Sequence, residues 1–119
     1  MAADSSTATA AVEVEPTRLE FLDAYAPELE LLNRRWALQI LVVLLQRPAR
    51  FTEFLRTIPG LSKNVMVERL RELGEAGLVA RHVDPGPPVT TTYSLTPDGE
   101  ALRPHIEGVL AWAAKRRRR

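Results

Sequence analysis

Between Leu29 and Leu45, apolar residues recur at three- and four-residue steps: Leu29, Leu32, Trp36, Ile40, Val43 and Leu44. That is the helical period, and Leu41 and Leu45 widen the stripe enough to make the segment the centre of a core. Asn33-Arg34-Arg35 marks a break within it, and Pro48 ends it. Upstream, Thr17 suits the cap of a short helix reaching about Tyr25 and carrying Leu19, Phe21 and Leu22, and Pro27 suits the first turn of the next. Downstream, Ala49-Arg50-Phe51 has room for a one-bridge strand. Thr52 to Ile58 reads as a short helix with Phe54, Leu55 and Ile58 inward, and Pro59-Gly60 as a turn. Ser62 then offers its hydroxyl as N-cap of a helix running to about Ala76. Met66, Leu70 and Leu73 are its buried stripe, and Gly77 suits the left-handed position past its end.

There the period shifts from helical to alternating. Leu78 to Val83 is strand-like, Asp84-Pro85-Gly86-Pro87-Pro88 a loop, and Val89 to Leu95 a Thr/Val/Tyr-rich strand, together a hairpin. Thr96-Pro97 predicts a cap and first-turn proline for one closing helix, with Leu102, Ile106, Val109, Leu110 and Ala113 on one face. The expected fold is mainly α with a small β-hairpin. Residues 1–16, small, polar and aperiodic, read as a disordered tail. Residues 17–115 read as one domain and residues 116–119 as a basic tail.

Composition narrows the classes. Among 119 residues, 45% are apolar and 26% charged, a balance suited to one soluble domain. No cysteine is present, which excludes disulfides, thiolate metal sites and thiol switches within these residues. The longest uncharged apolar run, Trp36 to Leu45, is short of the roughly 20 residues a membrane helix needs. No secretory leader is expected either, since no continuous apolar stretch follows Asp4. A cytoplasmic, nucleoid-associated location is the expectation.

The formal net charge of +1 hides an asymmetry. Residues 1–33 sum to −6, residues 34–83 to +5 and residues 84–119 to +2. A basic middle suits a polyanion partner, and an unevenly charged solvated surface fits equally well.

Helix, turn, helix, hairpin is the order of a winged helix-turn-helix module, whose second motif helix enters a major groove. At 100° per residue, Asn64, Val67, Glu68 and Arg71 lie opposite the Met66–Leu70–Leu73 stripe, with Lys63 at the edge. Asn64 suits adenine, Arg71 guanine or phosphate, and Glu68 cytosine N4. Ser62 and the first-turn N–H groups suit a phosphate. Arg50, Arg81 and the hydroxyl of Thr91 are further backbone-contact candidates.

The chain resembles the HxlR-type transcriptional regulators, a branch of bacterial winged-helix proteins. The resemblance rests on an ordered set of segments, roughly residues 27 to 114. These are Trp36-Ala37-Leu38-Gln39-Ile40-Leu41, Arg47-Pro48-Ala49-Arg50-Phe51-Thr52-Glu53-Phe54 and Ile58-Pro59-Gly60-Leu61-Ser62. Leu70-Arg71-Glu72-Leu73, Ala76-Gly77-Leu78-Val79-Ala80-Arg81, Pro87-Pro88, Tyr93-Ser94-Leu95-Thr96-Pro97-Asp98-Gly99 and Trp112 complete it. It implies a homodimer joined through extra N- and C-terminal helices, binding inverted repeats near promoters, mostly as a repressor. Leu19, Leu22, Leu29, Leu102, Ile106, Val109, Leu110 and Trp112 are then the interface candidates.

The departures from that pattern are specific. Many relatives carry a sensing cysteine upstream of the tryptophan, where this chain has residues near Asp23. Asn33-Arg34 replaces a usual glycine pair, and Asn64 and Val67 stand where a base and a hydroxyl are common. The wing carries Asp84 and no base at its tip. With no thiol, a small-molecule effector is the natural substitute, in an apolar pocket drawn from Phe21, Tyr25, Trp36 and Trp112. The alternative function is a winged-helix protein-interaction module without specific DNA binding.

Catalytic signatures are missing: no nucleophile elbow, phosphate loop, HExxH or paired acids. His82 and His105 stand alone, without ligand partners at metal spacing. The reading is of a non-enzyme with no cofactor, whose partners are double-stranded DNA, a second copy and an unidentified effector.

Overall fold

A computed structural model describes residues 19–118, with Leu19, Glu20 and Phe21 described in backbone only. The expected tail (residues 1–16), the Thr17 cap and Arg119 lie outside the described residues. The chain divides after Glu30 into two units.

The first unit holds helix α1 (Leu19–Ala24) and most of α2 (Ala26–Asn33), with Pro27 in its first turn. Leu29 N donates to the Tyr25 carbonyl at 3.0 Å across the joint between them. Leu22 and Leu29 are exposed.

In the second unit, the last turn of α2 leads into a sharp bend at residues 34–36. Trp36 takes a left-handed backbone (φ 77°, ψ −7°), a conformation costing a non-glycine residue about 1–3 kcal/mol. The predicted break is therefore real, and it divides the apolar stripe into α2 and α3 (Ala37–Gln46). Ala37, Ile40, Leu41, Leu44 and Leu45 of α3 are buried. Pro48 prevents continuation, and β1 (Ala49–Arg50) turns directly into α4 (Phe51–Thr57). Gly60, at φ 86°, supplies the positive-φ turn residue before α5 (Lys63–Glu75). A Cβ on Gly60 would lie 3.4 Å from Trp36 Cη2, so the indole lies against this turn.

Strands β2 (Val79–Asp84) and β3 (Thr90–Leu95) pair antiparallel from Val79↔Leu95 to Asp84↔Thr90, and β1 adds to the other edge of β3 through Ala49↔Tyr93. The sheet order is β1-β3-β2. Phe54, Ile40, Leu41, Met66 and Leu73 are the largest fully buried side chains, and Tyr93 meets Phe54 edge-on with centroids 6.1 Å apart.

The closing helix departs from the single element expected. It is two: α6 (Pro97–Glu100) and α7 (Arg103–Arg117). Pro104 explains the break, because inside a continuous helix its ring would strike the Glu100 carbonyl and remove a backbone donor. Restarting at Arg103 puts Pro104 in a first turn, where no N–H is needed. Thr96 caps α6, accepting from Gly99 N at 3.0 Å while its hydroxyl donates to the Gly77 carbonyl at 2.5 Å. Arg103 reaches back from α7 to the Leu45 carbonyl at 2.9 Å, which ties α7 to the end of α3.

Candidate nucleic-acid interface

Helix α5 separates its two faces cleanly. Met66, Leu70 and Leu73 are buried, whereas Ser62, Lys63, Asn64, Val67, Glu68 and Arg71 are exposed. Ser62 is the N-cap, its Oγ accepting from Val65 N at 3.2 Å. Of the first-turn N–H groups, those of Lys63 and Asn64 point along the outward end of the helix without capping by this hydroxyl.

Further along, the helix holds its own charges. Arg71 donates through Nη2 to Glu68, three residues back, and through Nη1 to Glu75 at 2.7 Å, four residues on. The hydrogen bond from Arg71 holds the Glu68 carboxyl below the ordinary carboxylate range, and the two acids in turn raise the Arg71 guanidinium. Arg71 is therefore clamped between two carboxylates on the outward face.

The hairpin adds a second wall. Directly paired residues share a face of a sheet, and alternate residues along a strand return to it. Val79, Arg81 and Val83 thus lie with their partners Leu95, Tyr93 and Thr91. On this side a groove of about 450 Å³ runs between α5 and the hairpin, bordered by Val67, Leu70, Arg71, Glu75, Val79, Arg81 and Tyr93. Arg81 is exposed at its edge and Thr91 half-buried beyond. At the far end of the hairpin, Asp84 Oδ1 accepts from Gly86 N at 3.1 Å.

Arg50 caps α4 in extended conformation with its side chain exposed. Its backbone N–H donates to Glu53 Oε1 at 2.7 Å, and Glu53 also pairs with Arg47 at 3.1 Å. Those two contacts, the backbone one foremost, lower the Glu53 carboxyl from its ordinary value. They engage Arg47 and leave the Arg50 guanidinium outward.

Two networks lay beyond the sequence reading. Arg69, on the flank of α5, donates through Nε to the Arg35 carbonyl at 2.8 Å, and Glu72 pairs with Arg69 at 3.4 Å and with Arg34 at 3.9 Å. The 68/71/75 spacing was a readable signal for the Arg71 clamp. Nothing local announces a contact between residues 34 positions apart.

The interface and pocket candidates are scattered by comparison. Val109 and Trp112 are each more than half exposed on α7 and Leu110 nearly so, with the Arg116 guanidinium over the Trp112 ring. Ile106, by contrast, is 7% exposed and belongs to the hydrophobic core of the chain, with Leu102 packed against that core. Buried there, it has no surface left to offer a second copy, so Ile106 is withdrawn as an interface candidate. Trp36 borders an apolar groove of about 460 Å³ with Val42, Val43, Ile58, Pro59 and Leu110. Trp112 does not line that groove, Tyr25 belongs to the first unit, and the Phe21 side chain lies outside the described residues. Among the described residues, no cluster of His, Asp and Glu suits a metal ion, and no helix is long and apolar enough to cross a membrane.

This geometry has close counterparts. Residues 31–119 match the family model of the HxlR-like helix-turn-helix. The HTH-type transcriptional regulator YvaP of Bacillus subtilis is 38% identical over 96 residues, 81% of this chain and 89% of the relative. The transcriptional regulator YodB of B. subtilis is 42% identical over 83 residues, 70% of this chain and 74% of its own. The solved structure of reduced YodB superposes with a TM-score of 0.66 at 37% identity, covering 82% of this chain and 91% of that one. The redox regulator HypR in its reduced form gives a TM-score of 0.71 at 29% identity, covering 76% and 89% respectively.

Proposed function

The chain belongs to the HxlR-like helix-turn-helix family, and from that premise we propose that this transcriptional regulator acts as a homodimeric repressor on an inverted-repeat operator. The observation that carries the reading is the polar outward face of α5, exposed from Ser62 to Arg71 above a fully buried stripe. Such a face reads base edges when the helix lies in a major groove. In this reading Asn64 reads adenine and Glu68 cytosine, and Ser62 and Lys63 meet a phosphate at the helix start. Arg50, Arg81 and Thr91 hold the backbone on either side. A pair of such helices about one turn of DNA apart, ~34–36 Å, sets the spacing of the half-sites.

Dimerisation is supported by exposed apolar side chains on elements outside the DNA-reading face: Leu22 and Leu29 in the first unit, Val109, Leu110 and Trp112 on α7. The three on α7 fall within four residues of one helix, the kind of exposed apolar grouping that a second copy can cover. YodB and HypR are described in reduced and oxidant-treated or oxidised forms. The present 119 residues contain no cysteine, so control by a thiol of these residues is ruled out, and an apolar small molecule takes its place in this proposal. The groove beside Trp36 falls in the size range of such ligands, about 300–1,000 Å³. The cytoplasm is the matching compartment.

The test is a gel-shift series on an operator selected from random duplexes. Binding should weaken steeply with salt, as phosphate neutralisation requires, and should fail on a scrambled repeat. Equal binding to scrambled DNA, or a 1:1 complex of one chain per repeat, overturns the proposal.

A further inference from the structure

The reading face of α5 has an apolar centre. Val67 is 47% exposed, and among the described residues it is the only large apolar side chain of α5 so exposed. It lies three residues from Asn64 and four from Arg71, hence on the same side of the helix. Its surface continues into the groove floored by Leu70, Val79 and Tyr93. The charged neighbours are committed to each other: Arg71 donates to both Glu68 and Glu75. Two carboxylates beside one guanidinium leave this part of the face with a net negative charge, which weakens its attraction for phosphate. This stretch of helix therefore suits base edges and not the DNA backbone. The feature of a base edge that an uncharged branched side chain matches in the major groove is the C5 methyl of thymine.

We propose that Val67 is a specificity-determining residue that packs against the C5 methyl of one thymine in each operator half-site. The assignment rests on the reading of α5 as the major-groove helix. Adenine recognition by Asn64 and methyl contact by Val67 then place A·T pairs beside each other under the first two turns of the helix. One methyl group moved from water into contact is worth about fourfold in affinity.

Anisotropy titrations of the full chain would test this on its selected operator, with each thymine replaced in turn by uracil, which deletes only the methyl. One symmetry-related pair of replacements should weaken wild-type binding about fourfold per half-site. Val67→Ala, which removes the two methyl groups that reach furthest, should weaken binding to the thymine duplex and narrow its advantage over the uracil duplex. The position is exposed and alanine is the better helix former, so the variant should melt no lower than wild type. Sequence-selective binding that is indifferent to every uracil replacement overturns the assignment, as does a thymine preference undiminished by Val67→Ala. Either result leaves Val67 as a cover for the groove. If no sequence selectivity is found at all, the assignment falls together with the reading of α5.

Discussion

Arg69 Nε donates to the carbonyl oxygen of Arg35 across 2.8 Å, so α5 is fastened to the bend that opens α3. The Arg69 side chain is only 16% exposed, and Glu72 holds it from the other side. Hydrogen bonds from charged donors in such settings are worth about 1.5–3 kcal/mol. Arg69→Met keeps the apolar stem and removes the donors. It should lower stability by about that amount in urea unfolding, with the m-value unchanged.

Two glycines should respond oppositely to the same substitution. A Cβ on Gly99 would lie 2.2 Å from the Leu78 carbonyl oxygen, where α6 packs over the start of the hairpin. Gly99→Ala should cost more than about 2 kcal/mol. Gly108, inside α7, has nothing within 4 Å of its Cβ position, and Gly108→Ala should stabilise by about 0.5–1 kcal/mol. Thermal melts of the two variants beside wild type decide both.

Glu75→Gln should strengthen binding to DNA of any sequence. The change removes one of the two carboxylates that hold Arg71 and deletes a negative charge from the face proposed to meet DNA. The salt dependence, plotted as log K against log concentration, should steepen by about one unit as Arg71 becomes available to a phosphate. An unchanged slope would show that Arg71 remains with Glu68.

Acid sensitivity should trace in part to Glu53. Its carboxyl is lowered from the ordinary 4.5 by the Arg50 N–H and by Arg47. A carboxyl with a lower pKa in the folded state contributes stability above its unfolded pKa and loses it as pH falls through the folded value. Stability of the wild type should therefore decline below about pH 4.5 more steeply than that of Glu53→Gln, measured by urea midpoints across that window.

Ser62→Ala deletes the cap of α5. The expected loss is about 1 kcal/mol, with a further loss of DNA affinity if the freed helix end also meets a phosphate.

Much of this architecture was legible because it depends on local chemistry. Ser62 as a cap, Gly77 beyond the end of α5, the Met66–Leu70–Leu73 stripe and the alternating hairpin all follow from neighbours within a turn or two. The bend at residues 34–36 was legible as an interruption of polar residues. Its left-handed tryptophan was not, because nothing in the local sequence marks that conformation, and the turn its indole lies against is distant in sequence. Pro104 signals the split between α6 and α7, but the apolar periodicity from Leu102 to Ala113 runs smoothly across the proline and masks it. At the candidate site, the outward residues of α5 were legible from helical geometry alone. The charges there were harder to read, since 100° spacing shows which side chains share a face but not that Arg71 bonds its own helix. Ile106 shows the same limit, because one stripe on α7 serves the core at its start and the exterior at its end.

The contact between Trp36 and Gly60 makes two loops share one volume. The bend that opens α3 and the turn that separates α4 from α5 therefore meet at one surface: a Cβ at position 60 would rest in ordinary van der Waals contact with the indole, and the left-handed φ of 86° is what strains any residue but glycine there.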